Sequence, residues 1–315
     1  MNHATKQNGL HHPDRRLFLA GGAALGLLPL LPKGTFAAET YRFNHGDFDL
    51  TVLSDGFLTL PAEILLPDAT AEERFPILKR LGGDAKSAPV QVNIPLIRKG
   101  NELILVDIGS GGNFQESAGK LATNLKASGV DPASITKVVF THAHPDHSGA
   151  TVAPDGKLLY PNAEYLVSEA EWAFWTDADF DKKQPEALHG FAQGAKRDLF
   201  AVKDRMRLVS PGDEIVAGMR VLDTRGHTPG HISLHLDGGD GLIITGDAAT
   251  SNVIFFEHPD WHFGFDTEAE IALKNRKALI EQAATDKVKM LGYHWAYPGV
   301  GFAERKDNAY VFVAA

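Results

Sequence analysis

Thr141-His142-Ala143-His144-Pro145-Asp146-His147 is the stretch from which the chain can be read. Three imidazoles and a carboxylate fall within six residues, directly behind Lys137–Phe140, which predicts a short buried strand. In an extended segment alternate side chains point the same way, so His142, His144 and Asp146 are expected to converge on one spot. His147 then turns to the adjacent side as Ser148-Gly149 opens a helix. Six residues would thus offer ligands for two neighbouring cations. Pro145 has no N–H to donate and stiffens the loop before any metal arrives. A solvated polar loop would account for a lone His-x-His, but not for this density of ligands behind a buried strand.

Working outward, further donors follow other apolar runs. Gly226-His227-Thr228-Pro229-Gly230-His231 lies between predicted strands at 220–224 and 232–236 and offers His227 on a glycine-bounded turn. His231 closes that turn and reads as support for the loop rather than as a ligand. Gly246-Asp247 follows the buried strand 241–245 and offers a carboxylate able to bridge two cations. Gly292-Tyr293-His294 ends a last strand at 288–291, after a helix predicted over 268–284. Nearer the N-terminus, residues 41–60 read as two short strands around a Ser54-Asp55-Gly56 turn. Residues 61–90 read as an insertion with helical character around 71–81. A hairpin is expected over 90–107 around Lys99-Gly100-Asn101, and a short helix over 121–128. Strands that each end in a polar loop predict packed α/β layers with the site along one rim.

Composition narrows the chemistry. The 315 residues contain no cysteine, so a metal would be held by histidine and carboxylate alone. A net charge of −9 with no basic stripe argues against a nucleic-acid partner. Asp14-Arg15-Arg16-Leu17-Phe18-Leu19-Ala20, then an apolar stretch to Leu31 and the small-residue exit Thr35-Phe36-Ala37-Ala38, is similar to a twin-arginine export signal. The expected organisation is a signal at residues 1–37, cleaved after Ala37 or Ala38, and one catalytic domain at 38–315. The mature protein would be periplasmic or secreted, with no membrane insertion after cleavage. The apolar stretch is too short to span a bilayer. Aromatics around Trp172–Phe180 and the insertion at 61–90 are candidate surfaces for a homodimer contact.

Taken in order, His-x-His-x-Asp-His, Gly-His-Thr-Pro-Gly-His, Gly-Asp and a late histidine resemble the metallo-β-lactamase superfamily. The resemblance implies an αββα sandwich, two mixed β-sheets flanked by helices, with a dinuclear site at one edge. Carried over by motif, it implies one metal on His142, His144 and His227, a second on Asp146, His147 and His294, and Asp247 between them. The cofactors so implied are two divalent ions, zinc in the first instance, with a hydroxide between them as nucleophile. Asp146 would be both ligand and catalytic proton carrier.

Gly46-Asp47-Phe48, Leu53-Ser54-Asp55-Gly56, Leu105-Val106-Asp107-Ile108-Gly109, Leu121–Ala127 and Tyr297-Pro298-Gly299-Val300-Gly301 are similar to the methyl parathion hydrolase branch and related exported lactonases. That likeness implies a small-molecule substrate: a lactone, an aryl ester or an organophosphate triester. It also implies a pocket lined by Phe114, Trp175 and Phe191. Acyl-homoserine-lactone hydrolases often carry a tyrosine three residues after the bridging aspartate; here Thr250 stands there, which the likeness makes a fourth residue of the expected pocket. Two alternatives within the superfamily stay open. A persulfide dioxygenase-like oxidoreductase would bind one iron through His142, His227 and Asp247, and a glyoxalase II-like enzyme would cleave a thioester.

Overall fold

A computed structural model of the chain describes residues 40–315; the expected signal at 1–37 lies outside the described residues. Two seven-stranded sheets are stacked face to face. The first runs in chain order through β1 (Thr40–His45), β2 (Phe48–Pro61), β3 (Ser87–Lys99), β4 (Glu102–Val106), β5 (Lys137–Val139), β6 (Glu164–Ser168) and β7 (Met206–Val209). The second runs through β8 (Glu214–Val216), β9 (Met219–Asp223), β10 (Ile232–Leu236), β11 (Leu242–Ile244), β12 (Lys289–Leu291), β13 (Val300–Lys306) and β14 (Ala309–Ala314), again in order. Helices α1 (Ala62–Leu65), α2 (Ala71–Arg80), α3 (Leu121–Ala127), α4 (Pro145–Ser148), α5 (Glu169–Thr176), α6 (Phe180–Lys183), α7 (His189–Ala201), α8 (Ile254–Glu257) and α9 (Ala269–Asp286) complete the chain. This is the expected αββα sandwich. Among the described residues no helix is long and apolar enough to cross a membrane.

The strand sequences explain the layering. In β4, Ile104 and Val106 point into the layer between the sheets with Phe48, Val139, Leu166 and Leu234, while Leu103 and Leu105 point outward under the helices. In β11, Leu242 and Ile244 face inward and Ile243 outward. Both faces are covered, which is why these strands are unbroken apolar runs rather than alternating ones. The pairings β4–β5 and β11–β12 are parallel, so the carboxyl ends of these strands, and the loops after them, fall on one rim.

Several local expectations are corrected. Ser54-Asp55-Gly56 is not a turn: β2 continues through it as one 14-residue strand with a bulge where its pairing to β3 shifts between Ser54 and Gly56. Gly56 has φ +105°, and a Cβ there would lie 2.2 Å from the Ser117 carbonyl oxygen, so only glycine fits. The bulge turns Asp55 inward, 1% exposed, where its carboxylate accepts the backbone N–H groups of Ser110 (3.0 Å), Gly119 (3.0 Å) and Leu121 (2.7 Å). The helix after the histidine motif opens at Pro145, not at Ser148. Of the aromatics at 172–180, Trp175 and Phe180 are buried in the core while Trp172 and Phe174 are half-buried; in the insertion, Phe75 is exposed.

Asp55 therefore ties loop 107–120 to β2. Asp55→Ala leaves three N–H groups, two of that loop and one at the start of α3, without an acceptor and should lower unfolding free energy by about 3 kcal/mol or more in a urea titration. Asp55→Asn, keeping one acceptor oxygen, should fall between. A wild-type midpoint for Asp55→Ala would show that the carboxylate is dispensable.

Candidate metal centre

Each ligand candidate sits just beyond a strand of the rim. Loop 140–144 after β5 carries His142 and His144, and the single-turn α4 carries Asp146 and His147. The β9–β10 connection carries His227, the tight turn after β11 carries Asp247, and the loop after β12 carries His294. All seven are buried. Their donor atoms form three overlapping groups: His142, His144 and His227; His142, His147 and Asp247; and Asp146, His147 and His294.

His144 Nδ1 lies 2.9 Å from His142 Nε2 and 3.0 Å from His227 Nε2. Three ring nitrogens facing one point at such spacing suit a single small cation, since tetrahedral nitrogen ligands at ~2.0–2.1 Å stand about 3.3 Å apart. Asp146 Oδ2 lies 3.4 Å from His147 Nε2 and 3.2 Å from His294 Nε2. Asp146 thus joins this second set rather than converging with His142 and His144, because α4 rotates it away from the extended alternation. Asp247 straddles both sets: Oδ1 is 3.4 Å from His147 Nε2, and Oδ2 is 3.4 Å from both His227 Nε2 and His294 Nε2.

Two of these atoms test the fit of a metal. His147 Nε2 and Asp247 Oδ1 are buried and have no hydrogen-bond partner, a condition that buried polar atoms seldom tolerate unless an ion or water completes it. Burial, reinforced by the neighbouring imidazoles, holds His142 and His144 well below the ordinary imidazole range, so their lone pairs are free. Burial also opposes charge on His147 and His294. The facing carboxylates overturn this, raising His147 well above its usual range and His294 to about 10. Asp146, His147, Asp247 and His294 thus form a tightly compensated charge cluster.

The far side of three of the rings is held as well. His147 Nδ1 meets Asp107 Oδ2 at 2.9 Å, and Asp107, at φ +59°, also accepts the Thr141 N–H and hydroxyl. His227 Nδ1 meets Asp266 Oδ1 at 3.0 Å, and Asp266 is paired through Oδ2 with the buried Arg276 at 2.7 Å. His294 Nδ1 meets the Gln91 carbonyl at 2.7 Å. His231 is a supporter as expected: its Nε2 accepts the Asp247 N–H at 2.9 Å, while Nδ1 meets Thr224 Oγ1 at 2.9 Å. Such outer partners fix ring orientation and tautomer. Asp266, Arg276 and the buried Glu171 were missed in the sequence, which shows only isolated charges in helical or irregular stretches.

A narrow cavity opens onto the cluster, walled by Leu58 and Leu60 of β2 and by Phe114, Phe191, Phe263 and Phe265. Phe191 packs 5.3 Å from the His144 ring and Phe263 stacks 5.9 Å from His227. Phe114, 40% exposed, stands at the mouth on a loop tethered by Gln115, whose side chain pairs with the backbone of Thr59. Phe114 and Phe191 are thus placed at the cavity as expected. Trp175 is not: it lies fully buried behind His144, its Nε1–H donating to Glu171. Thr250 is buried outside the cavity wall.

Comparison with known proteins agrees with this geometry. AttM of Agrobacterium fabrum, an N-acyl homoserine lactonase, is 36% identical over 138 residues, 40% of this chain and 45% of that one; the match spans less than half of that relative. The solved structure of AidC, a dizinc quorum-quenching lactonase in complex with a product, is 29% identical with a TM-score of 0.81, covering 89% of this chain and 98% of that one. The hydrolase AbOPH of the β-lactamase superfamily is 28% identical with a TM-score of 0.81, covering 88% and 98%. The family model of the metallo-β-lactamase superfamily matches residues 87–294, a span that includes all seven converging side chains. By that match and by the fold that carries it, this chain belongs to the metallo-β-lactamase superfamily.

Proposed function

We propose that the chain is a dinuclear metal-dependent lactonase acting on N-acyl homoserine lactones or close relatives, with zinc as the metal. The observation that carries this reading is that His147 Nε2 and Asp247 Oδ1, buried at the meeting point of two ligand sets, each lack a hydrogen-bond partner. His142, His144 and His227 would hold one ion, Asp146, His147 and His294 the other, and Asp247 would touch both. The likeness to AttM and AidC supports the substrate class. Four residues beyond the three that a one-iron oxidoreductase would use are aimed at the same spot, which supports two ions over one.

The ions, when bound, supply Lewis acidity: they acidify a water and polarise the carbonyl oxygen under attack. The protein does the rest. Asp146, at the cavity wall and within 3.2 Å of His294 Nε2, is placed to take a proton after attack and return it to the departing alkoxide. Opening of a lactone keeps both products on one molecule, so the proton has only a short way to travel. Leu58, Leu60 and the four phenylalanines keep bulk water from the reacting atoms and offer an apolar bed for an acyl arm.

Asp146→Asn should lower kcat by about 10²–10⁴-fold, the usual contribution of a placed proton carrier. Metal content per chain should fall far less; equal loss of both would reduce Asp146 to a ligand. In a panel of homoserine lactones, dihydrocoumarin and methyl paraoxon, the zinc-loaded protein should turn over the homoserine lactones fastest. Inactivity of a dimetal sample on every lactone would overturn the assignment. We further propose export by the twin-arginine route, supported by residues 14–20. Replacing Arg15 and Arg16 together by lysine should leave the protein in the cytoplasm of a competent bacterial host, as fractionation and blotting would read.

A further inference from the structure

Glu171 sits in the first turn of α5, fully buried, and touches no ligand atom. Its carboxylate nevertheless joins the two loops that carry His142, His144 and His227. Oε1 accepts the N–H of Ala143, the residue between His142 and His144, at 2.9 Å, and the Trp175 indole N–H at 2.5 Å. Oε2 accepts the Thr228 hydroxyl at 2.6 Å and the Gly230 N–H at 3.2 Å, both from the turn that presents His227. Ser168 completes the clasp, donating its hydroxyl to the Gly230 carbonyl while accepting the Glu171 N–H. The approach is close enough that a Cβ on Gly230 would lie 1.9 Å from the Glu171 nitrogen.

We infer that Glu171 is a positioning residue that selectively builds one half of the centre: it sets the spacing of His142, His144 and His227, and so governs affinity for the ion they hold. The inference rests on the dinuclear reading above. The other half is held differently. His147 leans on Asp107, His294 on the Gln91 carbonyl, and the Asp146 carbonyl accepts the Tyr293 hydroxyl at 2.7 Å. Removing a contact that serves one half alone, the Glu171 carboxylate or the Tyr293 hydroxyl, should therefore weaken one ion and spare the other.

All four partners of Glu171 are donors, so Glu171→Gln keeps the shape but sets an amide N–H₂ against at least one of them. Full-length protein stripped by chelator and titrated with zinc against a chromophoric competitor should take up two ions in the wild type. In Glu171→Gln one ion should bind as before and the other about 10–100-fold more weakly, the scale of losing an outer partner. Tyr293→Phe, which removes the hydroxyl from the Asp146 carbonyl, should give the same pattern for the opposite ion, so the double variant should weaken both. Thr228→Val, which removes one hydroxyl donor and keeps the volume, should weaken the same ion as Glu171→Gln to a smaller extent, and it carries the test if Glu171→Gln does not fold. Wild-type titration of both Glu171→Gln and Thr228→Val would overturn the clasp, as would a double variant that keeps one ion tight. A wild-type chain holding fewer than two ions would instead refute the dinuclear reading itself.

Discussion

Five imidazoles and two carboxylates are packed at the rim of an apolar sandwich where water barely reaches them. Burying such groups is costly unless each is paired or ligated, and almost everything distinctive about the structure around the rim answers that constraint. The charges of Asp146 and Asp247 are set against His147 and His294. The outward ring nitrogens of His147, His227 and His294 find Asp107, Asp266 and a backbone carbonyl. Two buried atoms of the cluster left without a hydrogen-bond partner, His147 Nε2 and Asp247 Oδ1, lie on the inside, where a cation would complete them.

The fold supplies the rigidity this requires. Parallel pairing of β4 with β5 and of β11 with β12 aims the loops after them at the same edge, and each of these strands is clamped between two apolar layers. Ligands attached directly to strand ends inherit that stiffness. Three of the four phenylalanines of the wall sit on irregular segments, Phe114 on loop 108–120 and Phe263 and Phe265 on the segment before α9, while Phe191 sits on α7. The anchors of these two segments are polar: Asp55 under the first, and Arg276 under the second, where it binds the Ala248 and Trp261 carbonyls besides Asp266.

The metal-ligand motif was legible because its signal is local: four donors in six residues behind a Val-Val-Phe run have little other use. The hairpin at 87–106 and the strands at 242–244 and 289–291 were legible for the same kind of reason, since burial on both faces demands uninterrupted apolar residues. Ser54-Asp55-Gly56 misled because serine, aspartate and glycine favour turns by composition, whereas here glycine serves a bulge and aspartate serves a loop 55 residues on. Trp175 and Thr250 were expected at the pocket from a likeness of motif; whether a side chain points into a cavity or behind it depends on helix rotation, which no motif encodes. Glu171 illustrates the deeper limit. A glutamate in a first helical turn is among the most ordinary features of a sequence, and only the fold shows its carboxylate turned inward with four donors around it.

Every one of the three donor groups takes members from both halves of the chain: His142 and His144 with His227, His142 and His147 with Asp247, Asp146 and His147 with His294. No half alone assembles a site, because the first sheet brings four of the seven residues and the second brings three. The supporting contacts cross the same boundary, with Glu171 reaching from the end of β6 to the β9–β10 turn and Ile232 N–H donating to the Thr141 carbonyl. Closing the two sheets over their shared layer is therefore the step that creates the metal-binding geometry, and a cation that prefers this geometry would draw the halves together in return. Folding and metal uptake would then be thermodynamically linked.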